Sequence, residues 1–168
     1  HFMPKLLDTY LLFRVRAKGD TDAFAQLYDR YVKSIYRFVF LKLPTKEMAE
    51  DVTSETFLRC WQFLRQQSEP VQNIRALLYK IARNLVIDQY RKEKNQPISL
   101  NFVTFLEDDP SSLMQDVSDA MKGRELIEAR ADLALVYQQI EKLKDDYQDV
   151  LSLRLIDGLS FGDIANIL

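Results

Sequence analysis

The sequence predicts an all-α fold, and three observations carry that expectation. Four glycines and five prolines in 168 residues leave little material for the tight turns of a sandwich or barrel, while Leu, Ala, Arg, Lys, Glu and Gln favour helix. Hydrophobic residues make up 47% of the chain, enough for packed cores in one globular domain or two small ones. Apolar residues then recur at three- and four-residue steps through most of its length.

Leu7, Tyr10 and Leu11 suggest a short first helix that ends before Gly19, and Asp20 or Thr21 can cap a second. That second helix carries Phe24, Leu27, Tyr28, Tyr31, Ile35, Phe38 and Val39, and Pro44 ends it. A third starts near Thr45, places Glu47, Glu50 and Asp51 in its early turns where they suit the helix dipole, and buries Val52, Phe57, Cys60, Trp61 and Leu64. Gln66 to Gln72, with Ser68 and Pro70, reads as a loop. Asn73 caps a long fourth helix with a stripe of Ile74, Leu77, Leu78, Ile81 and Leu85. These elements form one helical domain, 4–95, with residues 1–3 read as leftover residues and a start at Met3.

From Asn95 to about Gly123 the pattern dissolves, and 96–124 reads as an interdomain linker. It holds Glu107, Asp108, Asp109, Asp116 and Asp119 with no Lys or Arg before Met121, beside apolar Ile98, Leu100, Phe102, Val103, Phe105 and Leu106. Such a strip either lies on a partner or is an ordinary solvated linker partly folded back. A second unit, 125–168, restores the periodicity with Leu133, Val136, Tyr137, Ile140 and Leu143, breaks at Asp145 and Asp146, and resumes with Tyr147, Val150, Leu151 and Leu155. Asp157-Gly158-Leu159-Ser160 is helix-turn-helix grammar: Gly158 takes the left-handed position, Leu159 packs back, and Ser160 caps the next helix with Asp163 at its third position. Ile164, Ala165 and Leu168 supply that helix's packing face. No recognition helix follows, so Ile164 and Leu168 are expected to be covered by the first domain, a second copy or a partner.

The residue inventory excludes several classes of function. Cys60 is the one cysteine and His1 the one histidine, so an internal disulfide, a His/Cys zinc site and histidine acid–base chemistry are not expected. There is no glycine-rich phosphate loop and no acidic cluster with metal-ligand spacing. An enzyme, a cofactor and a metal are therefore not expected. No apolar run approaches membrane-spanning length and no leader is visible, which points to a reducing cytoplasm without membrane insertion. A net charge of −2 means that any contact with nucleic acid must come from a local patch.

Two surfaces exceed what folding needs. On the third helix Asp51, Ser54, Glu55, Leu58 and Gln62 form a polar, acidic stripe with an exposed leucine, either a solvated face or a docking face for a basic or helical partner. On the fourth, Arg75, Lys80, Arg83, Arg91, Lys92 and Lys94 oppose only Asp88 and Glu93. Arg75, Tyr79, Arg83, Val86 and Tyr90 share one face, so guanidinium groups alternate with rings, a combination suited to single-stranded nucleic acid. The same residues also admit helix-internal pairing of Asp88 with Arg91 or Lys92 and ordinary packing of the tyrosines.

The run Ala49-Glu50-Asp51-Val52-Thr53-Ser54-Glu55-Thr56-Phe57-Leu58-Arg59-Cys60-Trp61, followed by Ile81-Ala82-Arg83-Asn84-Leu85-Val86-Ile87-Asp88-Gln89-Tyr90-Arg91-Lys92, resembles region 2 of the extracytoplasmic-function (ECF) sigma factors of the sigma-70 family. Gly19-Asp20-Thr21-Asp22-Ala23-Phe24 and Leu27-Tyr28 resemble the start of that region. Leu133 to Leu168, with Leu159-Ser160-Phe161-Gly162-Asp163-Ile164-Ala165, resembles the first part of region 4. The resemblance implies an RNA polymerase sigma subunit that selects and helps melt promoters without catalysis of its own. It implies docking of Asp51, Ser54, Glu55, Leu58 and Gln62 on the β′ clamp helices of core RNA polymerase. It also implies capture of a non-template base of the minus-ten element by the loop Gln66 to Gln72 and the fourth helix, with Arg75, Tyr79, Lys80, Arg83, Asn84, Tyr90, Arg91 and Lys94 toward DNA. The linker would thread toward the polymerase cleft, and an anti-sigma factor would be a further partner. Ser54 stands where the family usually has Gln, and Gly162 where a charged helix former is common. Without a recognition helix the minus-thirty-five element should not be read. The alternative is a sigma-fold interaction protein that serves only as the partner of an anti-sigma factor.

Overall fold

The computed structural model describes residues 3–92, 132, 135–136, 138–140, 142–155 and 157–168; Lys94, the linker 96–124, Leu133 and Tyr137 lie outside the described residues. The helices in chain order are α1 (Met3–Lys18), α2 (Thr21–Phe40), α3 (Lys46–Gln66), α4 (Ile74–Lys92), α5 (Asp145–Leu155) and α6 (Phe161–Ile167). A short helical stretch at 138–140 precedes α5.

Local chemistry sets the boundaries. Gly19 adopts φ 61° and its N–H donates to the Val15 carbonyl at 2.9 Å, closing α1. Asp20 then caps α2: one carboxylate oxygen accepts from the Ala23 N–H at 3.0 Å and the other from Arg14 Nε at 2.8 Å. The Ala23 N–H and the Arg14 guanidinium hold the Asp20 carboxyl below its ordinary range. Thr45 caps α3 through the Met48 N–H at 3.2 Å, and Asn73 caps α4 through the Ala76 N–H at 3.0 Å. At the last junction Gly158 is left-handed, Leu159 donates its N–H to the Leu153 carbonyl at 3.0 Å, and Ser160 Oγ accepts from the Asp163 N–H at 3.1 Å.

Helices α1 to α4 pack mainly as α2 on α3, α3 on α4 and α1 on α2. Their shared core includes Leu27, Ile35, Phe38 and Val39 of α2, Val52, Phe57, Cys60 and Leu64 of α3, and Ile74, Leu78 and Leu85 of α4. Aromatic edges lock the seams: Phe24 meets Trp61 with ring centres 5.1 Å apart, and Phe38 meets Tyr79 at 5.3 Å, both T-shaped. Burial pushes the Cys60 thiol up to about 12, which leaves it protonated and inert. Helix α6 lies against α4 and also touches α5.

Three expectations about helix faces are corrected. In α1 the buried residues are Leu11, Leu12 and Val15, whereas Leu7 and Tyr10 are exposed, because α2 and α3 cover the C-terminal half of a 16-residue helix. In α5 the interhelical break falls at 142–144, so Asp145 and Asp146 open the helix rather than interrupt it. Its buried residues are Gln148, Asp149, Ser152 and Leu153, while Tyr147 and Leu155 face outward. In α6 the buried pair is Ile164 and Ile167, with Ala165 and Leu168 exposed. The expected cover over Ile164 is thus the first domain, through α4.

A Cβ at Gly19 would stand 2.9 Å from Arg65 Cζ, whose guanidinium donates to the Val15 carbonyl at 3.3 Å and the Arg16 carbonyl at 3.4 Å. Gly19→Ala should therefore lose about 1–2 kcal/mol to the left-handed backbone and more to displacement of Arg65. In an Arg65→Ala background the second part should vanish; equal losses in both backgrounds, by thermal unfolding, would show that Arg65 yields freely.

Candidate functional site

Helix α3 divides into two faces by its sequence spacing. Val52, Phe57, Cys60 and Leu64 point into the core, and the Thr53 and Thr56 hydroxyls on that side donate to the Ala49 and Val52 carbonyls at 2.7 Å each. On the outward side Asp51, Ser54, Leu58 and Gln62 are exposed and Glu55 is half-buried. Glu55 pairs with Arg59 at 2.6 Å along the helix. Leu58 is 51% exposed, an apolar side chain amid polar neighbours that the fold does not use. The five residues named from sequence therefore share one open face.

Helix α4 sorts its candidates into two groups. Lys80, Asn84 and Arg91 are exposed, and Arg91 approaches Asp88 at 3.8 Å. Arg75, Arg83 and Tyr90 are half-buried, and Tyr79 is 0% exposed. Tyr79 is therefore corrected from a surface ring to a core ring: it lies edge-on to Phe38 on one side and faces Asp157, Arg75 and Arg37 on the other. Burial and the Asp157 charge push its phenol above the ordinary range. The loop before α4 follows from Gln67 and is tied back to α1, with Arg16 donating to the Ser68 carbonyl at 2.6 Å.

What covers the ring-and-guanidinium face is the C-terminal segment. Arg83 reaches Asp149 at 2.7 Å through Nε and Asp146 at 2.6 Å through a terminal nitrogen. The other Asp149 oxygen pairs with buried Lys42. Arg37 meets the fully enclosed carboxylate of Asp157 at 2.8 Å, and Arg75 donates to the Asp157 main-chain carbonyl at 2.6 Å. Asn73 Nδ2 donates to Asp163 at 3.2 Å, joining the α4 cap to α6. Burial raises the Asp157 carboxyl above its usual value, against the opposing pull of Arg37. Sequence reasoning missed Lys42 and Arg37; a lysine inside the apolar run Phe38-Val39-Phe40-Leu41-Lys42-Leu43 was the available signal.

The site is thus a helical domain bearing an open polar face with an exposed leucine on α3 and, on α4, an array of cations and rings. Residues 27–96 match Sigma-70 region 2. The chain is 32% identical over 151 residues to the ECF RNA polymerase sigma factor SigW of Bacillus subtilis (strain 168), which covers 90% of this chain and 80% of that protein. It is 30% identical over 152 residues to the ECF RNA polymerase sigma factor BldN of Streptomyces coelicolor, covering 89% of this chain and 53% of BldN, so it spans about half the length of that relative. The structure of CnrH in complex with the cytosolic domain of CnrY is similar in fold, with a TM-score of 0.57 over 97% of this chain and 80% of that one, at 22% identity. The chain belongs to the ECF sigma factors of the sigma-70 family.

Lys42 is buried, so removing its partner leaves a cation without compensation, a change that costs about 3–5 kcal/mol when a buried pair is broken. Asp149→Ala should accordingly loosen α5 more than the double change Lys42→Met with Asp149→Leu. Hydrogen exchange of the α5 amides checks this; greater loss in the double variant would refute the pairing as the cause.

Proposed function

We infer that this chain acts as an RNA polymerase sigma factor in transcription initiation, joining core polymerase through α3 and engaging promoter DNA through α4. The observation that carries the reading is the outward face of α3, where Asp51, Ser54, Leu58 and Gln62 stand exposed on a helix whose opposite side is fully used by the core. The β′ clamp helices are the surface proposed for this face, with Glu55 at its edge. Membership of a family whose relatives are named RNA polymerase sigma factors favours this over a protein that serves solely as the partner of an anti-sigma factor.

The α4 side supplies binding chemistry rather than catalysis. Its cations follow phosphates, and half-buried Tyr90, since Tyr79 belongs to the core, is the α4 ring proposed to stack on an unpaired base, offsetting the few kcal/mol that unstacking a base costs. Exposed Lys80, Asn84 and Arg91 are the α4 residues within immediate reach of the non-template strand, and Arg75, Arg83 and Tyr90 lie on the covered side. No described helix is long and apolar enough to cross a membrane, and the proposed place of action is the cytoplasm, where core polymerase works. An anti-sigma factor is a further proposed partner.

Leu58→Arg should reduce pull-down of core polymerase by at least tenfold, the factor that corresponds to about 1.4 kcal/mol, with helicity unchanged. Asp51→Arg should act in the same direction, and both should lower promoter-directed transcript yield in a reconstituted reaction. Wild-type retention and transcription by both variants would sink the α3 assignment.

A further inference from the structure

Helix α1 is apolar on both sides. Leu11, Leu12 and Val15 enter the core, yet Leu6, Leu7, Tyr10 and Phe13, between 41% and 64% exposed, stand away from it. At about 100° per residue, Leu6, Tyr10, Phe13 and Ala17 fall within roughly 60° of one another, so they form one stripe along the outer side of the helix. No described element covers that stripe. Charge is arranged around it. By the same spacing Lys5 and Arg16 follow one edge, and Arg14 and Lys18 the other. The one carboxylate of α1 is turned away: Asp8 accepts from the Tyr31 hydroxyl and pairs with Arg30 Nε at 3.0 Å, both on α2. Arg14 is held by Asp20 at 2.6 Å and lies 5.7 Å from the centre of the Tyr10 ring. Lys5 and Lys18 are exposed and have no ion-pair partner among the described residues.

An occupant that matches this face is apolar at its centre and anionic at its margins. A second copy fails on charge, because α1 packed on α1, parallel or antiparallel, sets cations against cations. A protein partner fails on size: a stable interface takes about 20–30 residues a side, whereas this stripe is a ridge one helix wide. An anionic bilayer surface meets both conditions, since acyl chains receive the apolar side chains, headgroups receive the flanking cations, and no groove is needed. We propose that α1 is a membrane-surface contact, with Leu6, Tyr10 and Phe13 seated in an anionic leaflet and Lys5 and Lys18 on its headgroups. The helix lies along the surface and does not cross it; no described helix is long and apolar enough to span. Binding through one such helix is weak, reversible and sensitive to salt. The inference goes beyond the polymerase and DNA reading and shares no residue with it, so the two stand or fall separately.

The test uses the full chain and vesicles of equal parts phosphatidylglycerol and phosphatidylcholine, set against vesicles of phosphatidylcholine alone, with bound protein read by flotation. The chain should float with the anionic vesicles at low salt, bind the neutral ones about tenfold more weakly, and leave the anionic ones as salt rises. Leu6→Ser combined with Phe13→Ser should weaken anionic binding by about tenfold or more. Lys5→Gln combined with Lys18→Gln should weaken it by about fivefold per lysine. All four positions are exposed, so helicity should stay at the wild-type level, and both pairs should retain pull-down of core polymerase. Absence of flotation with the anionic vesicles overturns the proposal. Flotation that the serine pair leaves unchanged also overturns it, and would assign the lipid contact to another cationic surface such as Lys80 and Arg91 of α4. Self-association of the wild-type chain in sedimentation velocity, lost in the serine pair, would make a second copy the occupant and overturn it equally.

Discussion

Arg37, Lys42 and Arg83 sit at the margin of an apolar core, with their charged ends largely withdrawn from water. A cation in that position is costly unless an anion meets it. The ion-pair partners given for these three among the described residues lie more than sixty positions later in the chain, at Asp146, Asp149 and Asp157. That requirement orients α5, turns its polar side inward, and brings Ile164 and Ile167 of α6 against α4. The C-terminal helices are therefore placed by charge compensation together with the apolar contact of Leu153, Leu159, Ile164 and Ile167 with the shared core.

Helix boundaries were legible in the sequence because caps act over three or four residues. Asp20, Thr45, Asn73 and Ser160 each accept the N–H that their position predicts, and Gly19 and Gly158 take the left-handed turns. The choice of buried face was less legible. Helix α4 is apolar on more than one side, with Leu78 and Leu85 on one stripe and Tyr79 and Val86 on another, and periodicity alone does not rank them. The charged neighbours Arg75 and Arg83 make Tyr79 look outward, yet both arginines turn to a distant segment, Arg75 to the Asp157 main-chain carbonyl and Arg83 to the Asp149 carboxylate. The acidic face of α3 was readable for the opposite reason: no other described element covers it, so its spacing is its exposure.

The outward faces of α3 and α4 are held in fixed relation by the packing of the two helices on each other. Phe57, Cys60 and Leu64 on one helix and Leu78, Ala82 and Leu85 on the other belong to the same core, so a load at the α3 surface is transmitted through close-packed side chains to the surface of α4 proposed for DNA. A sigma factor needs that rigidity, because its task is to hold a polymerase and a strand at a set distance. Arg16 and Arg65 extend the same frame to α1 and to the loop ahead of α4, through main-chain carbonyls at Ser68, Val15 and Arg16.

The order of the helices along the chain also sets an order in time. Contacts among α1 to α4 join consecutive elements linked by short connections, a topology of low contact order that folds quickly. Synthesis proceeds from the N-terminus, and such units form as they emerge. The four-helix unit is thus complete while Asp146, Asp149 and Asp157 are still to be translated. For that interval every nascent chain displays Arg37, Lys42 and Arg83 uncovered, and the acidic cover is the last part of the described protein to arrive.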